Sequence, residues 1–208
     1  MGSFGELVLV LGDFHIPGRA NSVPESFKRM LVPNKMQHII CTGNVGVDQY
    51  NELLELAPNV HIVAGDYEDA SLSFPDYQVV RVGQFKIGVI HGHQVLPYGS
   101  KEALGRTRRK LGVDILISGF SHQNEVSLQD GFYYINPGSI TGACSSQRDT
   151  VTPSFVLLAI QENKLVCYVY ELPAGQGEVE VSKTEFTKPV VTVDGNAANS
   201  SLMQSLLA

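Results

Sequence analysis

Five short apolar runs, each stopping at a glycine-bearing stretch with a side chain able to hold a metal, constrain this chain more than any other feature. They lie at residues 7–11, 38–41, 60–64, 85–90 and 114–117. Continuous apolar runs of this length read as strands buried on both faces. Helix-like segments at 24–31, 47–57 and 101–111 fall among them, and the second sets Val47, Tyr50, Leu53, Leu54 and Ala57 on one stripe before Pro58. Strand alternating with helix is the pattern of a doubly wound parallel sheet.

After Gly119 the pattern turns β-rich, with strands expected at 132–135, 155–160, 165–170 and 178–186. The polar stretch Gln161-Glu162-Asn163-Lys164 predicts a tight antiparallel hairpin. The fold class expected is α/β, with two mixed β-sheets packed face to face and helices outside. Residues 1–187 should form one domain. Residues 188–208, with Asp194-Gly195-Asn196 and a short apolar end at 202–207, read as a flexible tail.

The chemistry sits at the strand ends. The first run leads into Gly12-Asp13-Phe14-His15, where an extended backbone would put Asp13 and His15 on one side. The others lead into Thr42-Gly43-Asn44, Gly65-Asp66, His91-Gly92-His93 and Ser118-Gly119-Phe120-Ser121-His122. Taken singly, an Asp after a strand is more often a turn residue or helix cap, and a lone His is more often packed or solvated. Five such ends converging on one rim, outside the carboxyl ends of the strands, make a site for Mn, Fe or Zn.

Composition removes several alternatives. Of 208 residues 43% are apolar, enough for a core, and a net charge of -6 argues against a grip on nucleic acid backbone. Three cysteines with no C-x-x-C make a disulfide framework or thiolate zinc knuckle unexpected. Cys41 reads as core, His38 and His61 as packed within strands, and Arg106, Arg109 and Lys110 as one solvated helix face. No apolar stretch reaches the length of a membrane span, and Glu6 stands where a myristoylation signal wants Ser or Thr. A cytosolic protein is expected.

Gly12-Asp13-x-His15, Gly43-Asn44, Gly65-Asp66, His91-Gly92-His93 and Gly119-x-x-His122 resemble the motifs of the binuclear, calcineurin-like metallophosphoesterases. Gly83-Gln84-Phe85-Lys86-Ile87-Gly88, His91-Gly92-His93-Gln94-Val95, Asn136-Pro137-Gly138-Ser139 and Pro153-Ser154-Phe155-Val156-Leu157 are more closely similar to one family within that fold. These are the metallophosphoesterase-like vacuolar protein sorting subunits of the retromer cargo-recognition complex. The resemblance runs over residues 7–186.

By that resemblance, one metal would be held by Asp13, His15, Asn44 and His122, and a second by Asn44, Asp66, His91 and position 120. Three departures weaken an active site of this kind. Asn44 is a neutral amide where a bridging carboxylate would screen two cations, and Phe120 offers no donor at all. Tyr67, with an ordinary pKa near ~10, replaces the His that protonates the leaving group, help typically worth ~10²–10⁴-fold. The expectation is no catalytic residue, one divalent metal (Zn or Mn), and a second that is weak or absent. The resemblance implies a scaffold in endosome-to-Golgi retrograde transport, cytoplasmic and peripheral on endosomes through its complex. Leu96 and Pro97 would face the helical solenoid of the large sorting subunit, and Leu157 and Tyr170 would recruit regulators of endosomal small GTPases. The competing readings are a metal-dependent phosphodiesterase or phosphatase with a thinner site, and a small-ligand sensor using one metal.

Overall fold

The computed structural model describes residues 5–188 apart from 147 and 176. The tail expected at 188–208 lies, beyond Lys188, outside the described residues.

Strands β1 (Glu6–Leu11), β2 (His38–Cys41) and β3 (Asn59–Ile62) run parallel, separated by the single turn α1 (Glu25–Lys28) and by α2 (Val47–Leu56). Three later strands complete their sheet: β9 (Ser154–Gln161), β10 (Lys164–Glu171) and β11 (Glu180–Thr187), in the order β11-β10-β9-β1-β2-β3. The second sheet has the order β4-β5-β6-β8-β7. Its members are β4 (Tyr77–Val82), β5 (Phe85–Ile90), β6 (Ile115–Ser118), β7 (Asn124–Gln129) and β8 (Phe132–Pro137), with helix α3 (Lys101–Leu111) between β5 and β6. Both sheets mix parallel and antiparallel pairs, the architecture expected.

Alternation explains why the first run is apolar throughout. Val8 and Val10 enter the core between the sheets with Ile40, Ile87, Ile117 and Val156. Leu9 and Leu11 enter a separate core under α1 and α2 with Phe27, Ile39 and Leu53. Burial of each large side chain is worth ~1.5–3 kcal/mol, so β1 is held from both sides. A third cluster under α3 joins Ile90, Ala103, Leu116 and Tyr134.

Several local expectations change. The five metal-bearing ends do not belong to one doubly wound sheet: after β3 the chain enters β4, which pairs antiparallel with β5 and opens the second sheet. The segment at 24–31 is helical only over Glu25–Lys28. On α2, Leu53 is buried but Leu54, a further 100° around, is 50% exposed, and Ala57 is already extended before Pro58. Helix α3 starts on Ser100, whose hydroxyl accepts the Ala103 N–H at 3.2 Å, and stops at Gly112 in a left-handed cap. Arg106, Arg109 and Lys110 lie on its exposed face, with Arg106 bonded to Glu102. The expected β9–β10 hairpin closes over Glu162 and Asn163, with Gln161 paired to Lys164. Among the described residues no helix is long and apolar enough to cross a membrane.

Candidate metal centre and its rim

The carboxyl ends of β1, β2 and β3 meet those of β5 and β6 where the two sheets adjoin. Asp13 and His15 reach this rim on left-handed backbone, each at φ 48°, and not on an extended strand end as expected. The twist turns both side chains inward while Phe14 between them packs into the helix-side core. Such φ values are uncommon outside glycine and need outside support. The segment after β8 supplies it: Ser139 Oγ donates to the Asp13 carbonyl at 2.7 Å, and Thr141 Oγ1 to the Phe14 carbonyl at 2.8 Å.

Backbone carbonyls set the imidazole tautomers. The His91 Nδ1–H donates to the Thr42 carbonyl at 2.6 Å and the His122 Nδ1–H to the Ala143 carbonyl at 2.7 Å. Both rings therefore turn an unprotonated Nε2 into the site when neutral, the arrangement that metal-bound histidines use. His15 Nε2 lies 3.2 Å from His122 Nε2, and Asp13 Oδ1 lies 3.5 Å from His122 Nε2. The ligand atoms of Asp13, His15 and His122, all buried, fall within 4.8 Å of one another. Two imidazoles and a carboxylate suit zinc or manganese.

The other half of the site is different. Asp66 Oδ1 accepts from Asn44 Nδ2 at 2.9 Å and lies 3.1 Å from His91 Nε2. Asn44 presents the same Nδ2 to Asp13 at 3.2 Å and to His15 at 3.0 Å, while its Oδ1 accepts the Tyr67 N–H at 3.0 Å. Coordination through Oδ1 would require the amide to turn over and give up the Tyr67 bond. Phe120 points its ring toward Tyr98 at 4.8 Å and edge-on to His91 at 5.8 Å, and the polar group it gives the site is its backbone N–H, donated to Asp13 Oδ2 at 3.1 Å. The Tyr67 side chain is 70% exposed.

Electrostatics follow the packing. Burial pushes His15 down to about 3, with Arg19 adding to it, so that ring is neutral at ordinary pH. Burial raises Asp13 above the usual carboxylate range, even against His91 and His122. The bond from His91 holds Asp66 well below that range. On His91 burial opposes charge, but Asp66 and Asp13 outweigh it and its pKa rises.

One residue that the sequence reading left without a role organises the centre. The Glu68 carboxylate accepts the N–H groups of Gly65 at 2.6 Å, Asn44 at 2.8 Å and Val45 at 3.3 Å, tying the ends of β2 and β3 together. Its signal was an acid three residues after a strand-ending glycine. Gly65 itself has no room for a side chain, since a Cβ there would sit 2.2 Å from Asn44 Oδ1.

All six residues expected at the rim, Asp13, His15, Asn44, Asp66, His91 and His122, are brought together. The two proposed partner surfaces lie elsewhere. Leu96 is 64% exposed beside Pro97 and Tyr98, on the Phe120 side of the rim. Leu157 and Tyr170 are half-buried on the helix side of the six-stranded sheet, Tyr170 stacking on Phe155 at 4.5 Å.

The family model of the calcineurin-like phosphoesterase superfamily domain matches residues 7–163. Vacuolar protein sorting-associated protein 29 of Schizosaccharomyces pombe is 39% identical over 188 residues, covering 88% of this chain and 99% of that protein. This chain belongs to the Vps29 family. The structure of Vps29 from Cryptosporidium parvum superposes on this family member with a TM-score of 0.84 at 41% identity, covering 89% of this chain and 100% of the other. Wild-type Vps29 from Entamoeba histolytica, solved in complex with Zn²⁺, gives 0.81 at 43% identity, covering 86% and 98%. A zinc-bound Vps29 and the Asp13, His15, His122 cluster both fit a metal in this family member.

Proposed function

We propose that this chain is the scaffold subunit of the retromer cargo-recognition complex and does not turn over phosphoesters. The observation that carries the reading is Phe120, a side chain without a donor atom where a binuclear enzyme needs an imidazole. One divalent ion, Zn or Mn, would be held by Asp13, His15 and His122, with Asn44 turned to join them. The second set, Asn44, Asp66 and His91, would hold an ion weakly or not at all. When bound, the ion supplies positive charge at the buried Asp13 and links the turn after β1 to the turn after β6.

The rim beside it, with Leu96, Pro97 and Tyr98 exposed, would then serve as a docking face for the helical solenoid of the large sorting subunit. The Leu157 and Tyr170 surface would recruit regulators of endosomal small GTPases. The chain would work in endosome-to-Golgi protein sorting, in the cytoplasm and on endosomes only through its complex. Residues 1–187 would act as one domain and 188–208 as its tail.

Hydrolysis of a generic aryl phosphodiester with excess Mn²⁺ tests the non-catalytic half of this reading. No turnover above the metal-only blank that depends on Asp13 is expected. Turnover that disappears with Asp13→Ala would give the site to the phosphodiesterase reading instead.

A further inference from the structure

At the end of the sandwich opposite the rim, a row of polar side chains crosses four strands. Glu6 and His38 are the first residues of β1 and β2, His61 lies in β3 and Gln78 in β4. Val8 pairs with His38 and Ile40 with His61, so both rings point to the same side as Ile40, between the sheets.

His38 Nε2 lies 3.2 Å from Glu6 Oε2, and the other Glu6 oxygen accepts the Gly83 N–H at 3.3 Å. A carboxylate only accepts, so His38 carries its proton on Nε2 and leaves Nδ1 bare when neutral. Gln78 uses its amide nitrogen on the Ile62 carbonyl at 2.8 Å, so its carbonyl oxygen is the group left to bond His61. With that acceptor beside it, and Nε2 turned to His38, neutral His61 carries its proton on Nδ1 and leaves Nε2 bare. The two bare nitrogens, His38 Nδ1 and His61 Nε2, face each other at 3.4 Å. Three contacts thus need three cationic or protic links, and two neutral imidazoles carry two protons.

We propose that a divalent cation of the imidazole-binding class, for which Zn²⁺ is the probe, binds between His38 Nδ1 and His61 Nε2. Glu6 orients His38 from its far side, and water completes the coordination. Two nitrogens bonded at ~2.0–2.1 Å to one tetrahedral zinc stand about 3.3–3.4 Å apart, which matches the observed spacing. An N–H···N bond would ordinarily bring them to about 3 Å. The carboxylate behind the imidazole is the outer-shell partner that metal-bound histidines commonly have. Burial pushes the His61 pKa down, so a further proton on that ring is disfavoured at neutral pH. The ring planes are 19° apart and the centroids 5.6 Å, so a small turn of either ring aims both lone pairs at one ion.

The test is a Zn²⁺ titration of the full chain at neutral pH, followed by equilibrium dialysis and by ¹⁵N spectra of the histidine side chains. In the wild type, His38 Nδ1 and His61 Nε2 should shift on binding, and His61→Gln should remove one equivalent while keeping the one that depends on Asp13. Glu6→Gln, at a half-exposed position, should keep the stoichiometry and weaken this equivalent by ~10–100-fold. If His61→Gln fails to fold, the Glu6→Gln affinity and the wild-type spectra decide the matter. Ring nitrogens that stay fixed while the rim saturates, or a proton on His38 Nδ1 shared with His61, would overturn the proposal.

Discussion

Leu96→Asp should abolish binding of the large helical-solenoid sorting subunit while leaving the melting temperature nearly unchanged. Leu96 is 64% exposed and Tyr98 52% exposed, so neither contributes much to the fold. Tyr98 rests on Phe120, which extends the apolar surface to the edge of the metal centre. Central anchors of such patches cost ~2 kcal/mol or more when truncated, and a carboxylate forced into an apolar contact costs at least as much through lost hydration. A loss of at least ~30-fold in affinity follows, since 1.4 kcal/mol is tenfold. Leu157→Asp, on the other side of the six-stranded sheet, should leave this binding intact. Its own melting temperature should fall, because Leu157 is half-buried against the helix-side core. Calorimetric titration against the solenoid, with thermal melts of both variants, checks the pair. A Leu96→Asp chain that melts early would make Leu96 a structural residue. One that folds and binds normally would place the docking face elsewhere.

Phe120→His should change the number of metal ions the rim holds from at most one tight equivalent to two. The second set has Asp66 and His91 within 3.1 Å of each other and an imidazole missing at position 120. Loss of an outer-shell partner alone typically costs ~10–100-fold in metal affinity, so a restored direct ligand should gain at least that much. Asn44, still a neutral amide, would keep the restored ion weaker than a carboxylate-bridged pair. The change should be cheap in stability. Phe120 is half-buried, so only part of the ~1.5–3 kcal/mol of a fully buried ring is lost, and its φ of 71° strains Phe and His alike. Titration with Zn²⁺ or Mn²⁺ should be made in the His61→Gln chain, so that only rim ions are counted. Two tight rim equivalents before the substitution would contradict this view of the site.

Much of this was legible because of burial. The run at 7–11 is apolar at every position because β1 lies between two cores, and each residue after it that faces the rim is polar for a chemical reason. The edges were harder to see. In β4 the pattern Tyr77-Gln78-Val79-Val80-Arg81-Val82 buries only Val80 and Val82, and none of the six residues of β7 is buried. Half-solvated edge strands carry too weak an alternation to stand out from loop. Asp13 and His15 take left-handed backbone although neither is a glycine, so their residue types do not announce the turn. What allows it are hydroxyls from Ser139 and Thr141, some 126 residues away for Ser139 and Asp13. The direction of the Asn44 amide was likewise unreadable, since it depends on the Tyr67 backbone. The Glu6, His38, His61 and Gln78 row could not be seen at all before the order of four strands was known.

A rim inherited from a phosphoesterase fold is proposed to serve now as a binding face. Affinity purification of the chain from its source cell, with identification of stoichiometric partners, tests it most directly. A large helical-repeat protein should co-purify in roughly equal amount with the wild type and be lost with Leu96→Asp. Recovery of the wild-type chain alone, under conditions that keep other soluble complexes intact, would contradict it.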